Sequence, residues 1–249
     1  MIRKRREQSM KKRGIVPATL GQVKDIGAAL IQAIPPTLGK EAAQRIISSK
    51  GALIKAIERA FQEISGHIDL LTEWSSFYGE VFGLNCFTSD FECLEIPTRP
   101  YGFGWLIIMR EGLTAQSLLA KCQERFACED ESHDKLDTLK SVRIADRRYA
   151  LWVRDCIEAD EENKDKSAKD CEHEGMKGIT LEERLILELF YHWKTDNHLD
   201  IEDHSTLCTG SYYSNCYVPR VKFSNGRVCI LSEYPKNGSL SIRVREVSL

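Results

Sequence analysis

The chain has no CxxC pair, aromatic residues make up only 8% of it, and no apolar run approaches the roughly 18 residues of a membrane span. The missing CxxC removes the usual zinc-ribbon and dithiol redox signatures. The missing apolar run removes a transmembrane helix, and no signal-peptide core follows the basic N-terminus. A soluble, cytoplasmic protein with no membrane partner is expected. Nine cysteines at irregular spacing, in a chain of 249 residues, point to reduced thiols in a reducing compartment. Cys122 falls on a predicted helix and Cys229 in a predicted strand, and both read as packing residues.

Other absences narrow the chemistry. "TLGQVKDIG" and "PPTLGK" match neither G-x-x-x-x-G-K-[ST] nor G-x-G-x-x-G, so no phosphate cradle is expected. "CEHEGMK" lacks the second histidine of H-E-x-x-H, and the acidic stretch "DCIEADEENKDKSAKDCEHE" lacks the order of a calcium loop. His198, His204, Cys208 and Cys216 are suitable zinc ligands in type, but H-x5-H-x3-C-x7-C matches no standard zinc spacing. Cys208 before Thr209-Gly210-Ser211 leaves a thiol or zinc hydrolase as a further alternative, with no residue fixing the third member. No cofactor, metal or catalytic residue is expected.

The net charge of -2 is unevenly spread. "MIRKRREQSMKKRG" carries seven Lys or Arg against one Glu. Residues 1–16 lack hydrophobic periodicity and read as a basic, disordered tail. The alternative is a nucleic-acid-binding arm in which Arg3, Lys4, Arg5, Arg6, Lys11, Lys12 and Arg13 neutralise phosphates, with steep salt dependence.

From Thr19 apolar residues recur at helical spacing. Leu20, Val23, Leu30 and Ile34 predict a helix stopped by Pro35-Pro36. "GKEAAQRIIS" predicts a second, and Leu53, Ile57, Phe61 and Ile64 a third that ends at Gly66. Leu70, Leu71, Trp74, Phe77 and Val81 continue to Gly83. Residues 17–84 thus read as three or four short helices packed together. Residues 85–102, with Pro97, Pro100 and Gly102, read as a linker, and 103–249 as a mixed domain.

In that domain "WLIIM" predicts a strand, "TAQSLLAKCQERF" a helix capped by Thr114, and "RYALWVRD" a strand or the start of a helix. The acidic stretch reads as a solvated helix or loop. In "GITLEERLILELFYHW", Thr180 and Glu183 form a capping box, and Leu185, Ile186, Leu189 and Trp193 a buried stripe. His192 reads as a satisfied helix-boundary histidine. Strands follow in "TLC", "VPRVKF", "RVCILS" and "LSIRVREV". Asn225-Gly226 predicts a type I′ hairpin turn, and Asn237-Gly238 the next turn. The fold class is α+β.

"ITLEERLILEL" stands where bacterial C-type-lectin-like domains carry an R-L-P-T-x-x-E capped helix, here without the Arg-Leu-Pro. "GSYYSNCYVPRVKFSNGRV" followed by "SLSIRVREV" resembles their Ser- and Tyr-rich loop, V-x-F-S-N-G hairpin and closing strand, with "LCTGS" in place of the expected tryptophan. The resembled domains include major paralogous domains and the variable proteins of diversity-generating retroelements. The N-terminal helical region is similar to uncharacterised bacterial proteins, a likeness that implies no activity. The C-terminal resemblance implies a rigid scaffold that displays side chains to a partner, most naturally a protein. The expected contact residues are Tyr212, Tyr213, Asn215, Tyr217, Arg220, Lys222 and Arg227. Alternation along "VPRVKF" predicts Val218, Arg220 and Lys222 on an exposed basic face. Oligomeric state is not legible in the sequence.

Overall fold

Thr19 caps the first helix. Its hydroxyl accepts from the Gln22 amide at 3.3 Å, and the Gln22 side chain accepts from the Thr19 amide at 2.8 Å, a reciprocal cap. The computed structural model describes residues 19–91, 93–132, 136–202 and 204–249, so the basic segment with Arg3, Lys4, Arg5, Arg6, Lys11, Lys12 and Arg13 lies outside the described residues. The architecture is α+β.

Helices α1 (Leu20–Gln32) and α2 (Lys40–Ser48) precede α3, a single helix of 33 residues over Lys50–Phe82. The expected stop at Gly66 is not used. A glycine inside a helix is unfavourable by only about 1 kcal/mol relative to alanine, less than the apolar surface from Leu70 to Val81 gains by continuing the same helix into a core. The chain divides into two units, Met1–Ile64 and Ser65–Leu249, and the division falls inside α3, ahead of segment 85–102.

In the first unit neither α1 nor α2 has a buried residue, so the expected packing of these stripes does not occur among the described residues. Leu20, Ile31 and Ile47 stand 72%, 70% and 64% exposed. The side chain of Ile64 lies outside the described set.

In the second unit Trp74, Phe77 and Tyr78 are fully buried. The Trp74 indole donates to the Leu106 carbonyl at 3.1 Å, and the Tyr78 hydroxyl to the Ile108 carbonyl at 2.6 Å. These bonds fix the end of α3 to strand β1 (Phe103–Met109), which pairs antiparallel with β4 (Tyr149–Arg154). Strand β10 (Val247–Ser248) adds to the other side of β4, giving the order β1-β4-β10. Between β1 and β4 lie α4 (Ala115–Arg125), β2 (Cys128–Asp130) and β3 (Lys140–Ser141). Thr114 caps α4 as expected.

After β4 come α5 (Ala168–His173), α6 (Leu181–Thr195), β5 (Ser205–Leu207), β6 (Ser211–Tyr212), β7 (Val218–Ser224), β8 (Arg227–Glu233) and β9 (Ile242–Val244). A five-stranded sheet has the order β2-β8-β7-β5-β9, and β3 pairs with β6 in a small third sheet. The β7–β8 hairpin closes at Asn225 (φ 54°) and Gly226 (φ 75°), with Ser224 opposite Arg227, as the Asn-Gly pair predicts. The expected turn at Asn237-Gly238 instead falls at Pro235-Lys236, where the Asn237 amide reaches the Tyr234 carbonyl at 2.9 Å. Gly238 serves close packing: a Cβ there would lie 2.0 Å from the Asp165 carbonyl oxygen.

The five-stranded sheet is covered on parts of both faces. Val221, Val228 and Ile230 join the main core with α6, while Leu207, Val218 and Val244 form a second cluster with Cys171 of α5. This corrects the expected exposed face of Val218, Arg220 and Lys222, since Val218 is buried and the other two are half-buried. The acidic stretch is corrected too. It contains α5, and its Asp160 and Asn163 are buried. Burial raises the Asp160 carboxyl, against the Glu246 amide at 2.8 Å and Arg154 at 2.7 Å.

Candidate functional site

The loop of residues 209–217 is built rigidly from its own backbone. The Tyr213 amide donates to the Tyr217 carbonyl at 2.8 Å and the Cys216 amide to the Tyr213 carbonyl at 2.9 Å, which holds Cys216 at φ 70°. The Tyr217 amide donates to Asn215 Oδ1 at 3.1 Å. At its start, Gly210 approaches the backbone ahead of α6 so closely that a Cβ would lie 2.7 Å from the Gly178 carbonyl oxygen. The loop edges a cavity of about 430 Å³, with Tyr212, Cys216 and Thr209 on one side and Lys169, Glu172 and Met176 on the other.

The seven expected contact residues divide. Tyr212 and Tyr217 are 43% and 38% exposed, and Asn215 is exposed on the loop. Tyr213 is fully buried, so its ring supports the loop from below and leaves the contact set. Arg220 pairs with Glu233 at 3.1 Å, and Arg227 with Glu129 at 3.0 Å and Glu131 at 2.9 Å, so neither is a free cation. Lys222 is half-buried in the strand. Sequence reasoning missed Tyr234, 45% exposed, whose ring meets Tyr217 edge-on at 5.8 Å between centroids. The hairpin register could have found it: Val218 opposite Glu233 sets Tyr217 and Tyr234 side by side.

Two buried ionic clusters hold this scaffold. Glu183, fully buried, takes Arg143 in a two-pronged pair at 2.7 Å and 2.7 Å, the Tyr149 hydroxyl at 2.9 Å and the Thr180 amide at 2.8 Å. Burial and this carboxylate both raise the Tyr149 hydroxyl, keeping it protonated as a donor. Arg143 also donates to the Gly178 carbonyl at 2.6 Å. Next to it Ser141 joins Glu182 and Ser211, each at 2.7 Å, linking β3 to the start of the loop.

The second cluster centres on Arg184, fully buried, with Glu188 at 2.6 Å and Asp200 at 2.8 Å. Thr206 Oγ1 donates to Asp200 at 2.6 Å, and Arg245 lies 3.7 Å from the other carboxylate oxygen. Burial alone would raise the Asp200 carboxyl; Arg184, Arg245 and the Thr206 bond outweigh it and hold the group below its ordinary value.

The residues weighed for zinc do not converge. His198 is bound to Glu188 at 2.8 Å and stacked on Phe223, whereas His204 meets Arg243 at 2.8 Å. Cys208 is fully buried and Cys216 exposed. Among the described residues no three His, Cys, Asp or Glu side chains group as a metal site. His192 lies against His198 and Phe126, and burial lowers its basicity.

Burial pushes the Cys208 thiol far above its ordinary value, which disfavours the thiolate that a nucleophile needs. Iodoacetamide labelling of the native chain with peptide mass mapping is expected to modify the exposed Cys93 and Cys216 and to spare Cys208 and Cys122 until denaturant is added. Early labelling of Cys208 would restore it as a nucleophile.

Searches against protein-family models, curated proteins and solved structures found no match to this chain. No described helix is long and apolar enough to cross a membrane.

Proposed function

We propose that this chain is a non-enzymatic binding protein that recognises a partner protein through its C-terminal loop and hairpin, on a C-type-lectin-like scaffold. The observation that supports it is the combination of a backbone-locked loop that exposes Tyr212 and Tyr217, the exposed Tyr234 ring against Tyr217, and a cavity of about 430 Å³ lined by Tyr212. Tyrosine brings large amphipathic area with few rotors, so a fixed loop that presents it loses little entropy on binding. The buried Glu183 and Arg184 clusters suit such a role, because they immobilise the elements on which the loop is built. The contact set is Tyr212, Asn215, Tyr217 and Tyr234, with Lys222 at its margin.

The resemblance of the tail to retroelement variable proteins extends this reading to a variable display surface. Substitutions among close paralogues should then gather on the exposed positions of 212–234 and spare Tyr213, Val221 and Ile230. A surface constant among paralogues, with changes in the core, would end the display reading.

The binding reading itself is tested with a phage-displayed peptide library panned on the full chain. Selected peptides are expected to lose at least about tenfold in affinity on the triple variant Tyr212→Ala/Tyr217→Ala/Tyr234→Ala, as truncated aromatic anchors do. The variant should keep its thermal midpoint, since all three rings are exposed. Binders that ignore the triple substitution would remove this surface from the proposal.

A further inference from the structure

A second cavity, of about 320 Å³, opens in the Ser65–Leu249 unit away from the tyrosine loop. Its depth is apolar and aromatic. Trp74 and Phe190 stack at 4.1 Å between centroids, and Trp105 and Tyr191, both partly exposed, stand 5.5 Å apart at an interplanar angle of 39°. This volume lies within the range of small-molecule sites, too small for a folded partner's edge.

The backbone at the mouth is irregular in a directed way. The β1–β4 register slips between Phe103 and Trp105, a bulge with Gly104 inside it. At Gly104 a Cβ would lie 2.6 Å from the Asp155 Cβ and 3.1 Å from Asp155 Oδ2. Only glycine lets the Asp155 carboxylate come this close to the bulge, and both residues line the cavity.

The charges at the mouth are unequal. Glu73 is neutralised by Lys194 at 2.6 Å. Asp155, by contrast, has no hydrogen-bond or ion-pair partner among the described residues, and neither does the Trp105 indole N–H or the Tyr191 hydroxyl. An aromatic face carries a negative quadrupole, so the rings and the unpaired carboxylate select the same sign of charge. An anion would meet the carboxylate and the ring faces together, and the cation that lines the cavity, Lys194 over the Phe190 ring, is already held by Glu73.

We infer that this cavity binds a small organic ammonium ion, its apolar body against the paired rings of Trp105 and Tyr191 and its charged nitrogen at Asp155. The site is independent of the tyrosine loop, so failure of either leaves the other standing.

Benzylammonium, benzyl alcohol and benzoate serve as probes of matched size on the full chain, read by the shifts of its four indole N–H resonances, with Trp105→Phe assigning one of them. Benzylammonium is expected to shift the Trp105 resonance saturably and to bind more tightly than benzyl alcohol, with benzoate weakest. Asp155→Asn should weaken benzylammonium by about three- to tenfold, less as salt rises, and leave benzyl alcohol unchanged. Gly104→Ala should weaken both neutral and charged probes by displacing Asp155 and narrowing the mouth. Equal binding of all three probes, or an ammonium affinity untouched by Asp155→Asn, overturns the inference. Tighter binding of a lysine-containing peptide than of benzylammonium would give the site to a peptide and overturn the small-molecule assignment. Because Asp155 is exposed and unpaired, its Asn variant is expected to fold as the parent does.

Discussion

Asp200→Ala is expected to lower the unfolding free energy by about 3–5 kcal/mol, the usual cost of leaving a buried charge without its partner. The measurement is urea denaturation of the full chain followed by tryptophan fluorescence. Without Asp200, Arg184 keeps only Glu188 at 2.6 Å as a carboxylate partner, beside the Thr206 hydroxyl at 3.3 Å, Arg245 loses its carboxylate neighbour, and the Thr206 hydroxyl and Ala159 amide lose their acceptor. Each of these groups lies where water cannot replace what is lost. The double variant Arg184→Met/Asp200→Ala should be less destabilised than the sum of its single changes by more than about 1 kcal/mol, since the two residues touch. Strict additivity would mean that the pair contributes nothing as a pair.

The pH dependence follows from the lowered Asp200 value. A carboxylate whose folded value lies below its unfolded one stabilises the fold above the unfolded value, near 3.9. That contribution is lost as pH falls from there through the lowered folded value. The Asp200 contribution is therefore complete at neutral pH, and Asp200→Asn should remove part of the acid limb below about pH 4.

Glu183→Ala is expected to cost about 3–5 kcal/mol, against the roughly 1 kcal/mol of a helix cap alone. The same denaturation experiment separates the two values. The difference arises because Glu183 also takes both prongs of Arg143 and the Tyr149 hydroxyl, so its loss strands a mostly buried guanidinium beside β3. Lys140 and Ser141 of β3 pair with Tyr212 and Ser211, so this variant should also loosen the tyrosine loop. Glu183→Gln keeps the volume and one acceptor oxygen and should fall between. A cost of only about 1 kcal/mol for Glu183→Ala would reduce its role to the cap.

Local signals were the legible ones. Thr114 and Thr180 announced their helices because a cap is a bond between neighbours in sequence, and Asn225-Gly226 announced its hairpin because positive φ is a property of two residues. Gly66 misled, since a glycine signals a stop only when nothing beyond it continues to bury. Asn237-Gly238 misled for a related reason: Gly238 is present for the Asp165 carbonyl, a neighbour far away in sequence. Of the contact surface, Tyr212 and Tyr217 were legible as a composition, whereas the burial of Tyr213 and the ion pairs of Arg220 and Arg227 were not.

The sequence by itself determined the helix starts at Thr114 and Thr180, the hairpin, the α+β class and the free state expected of the thiols. All of these rest on periodicity, caps and spacing within a few residues. Tertiary structure decided that the first half of α6 is buried, with Glu183, Arg184 and Glu188 inside, because their partner Arg143 comes from ahead of β4 and His198 and Asp200 from the loop after α6. A charged residue in a helical stripe reads as solvent-facing until the counter-charge that makes its burial tolerable has been placed beside it.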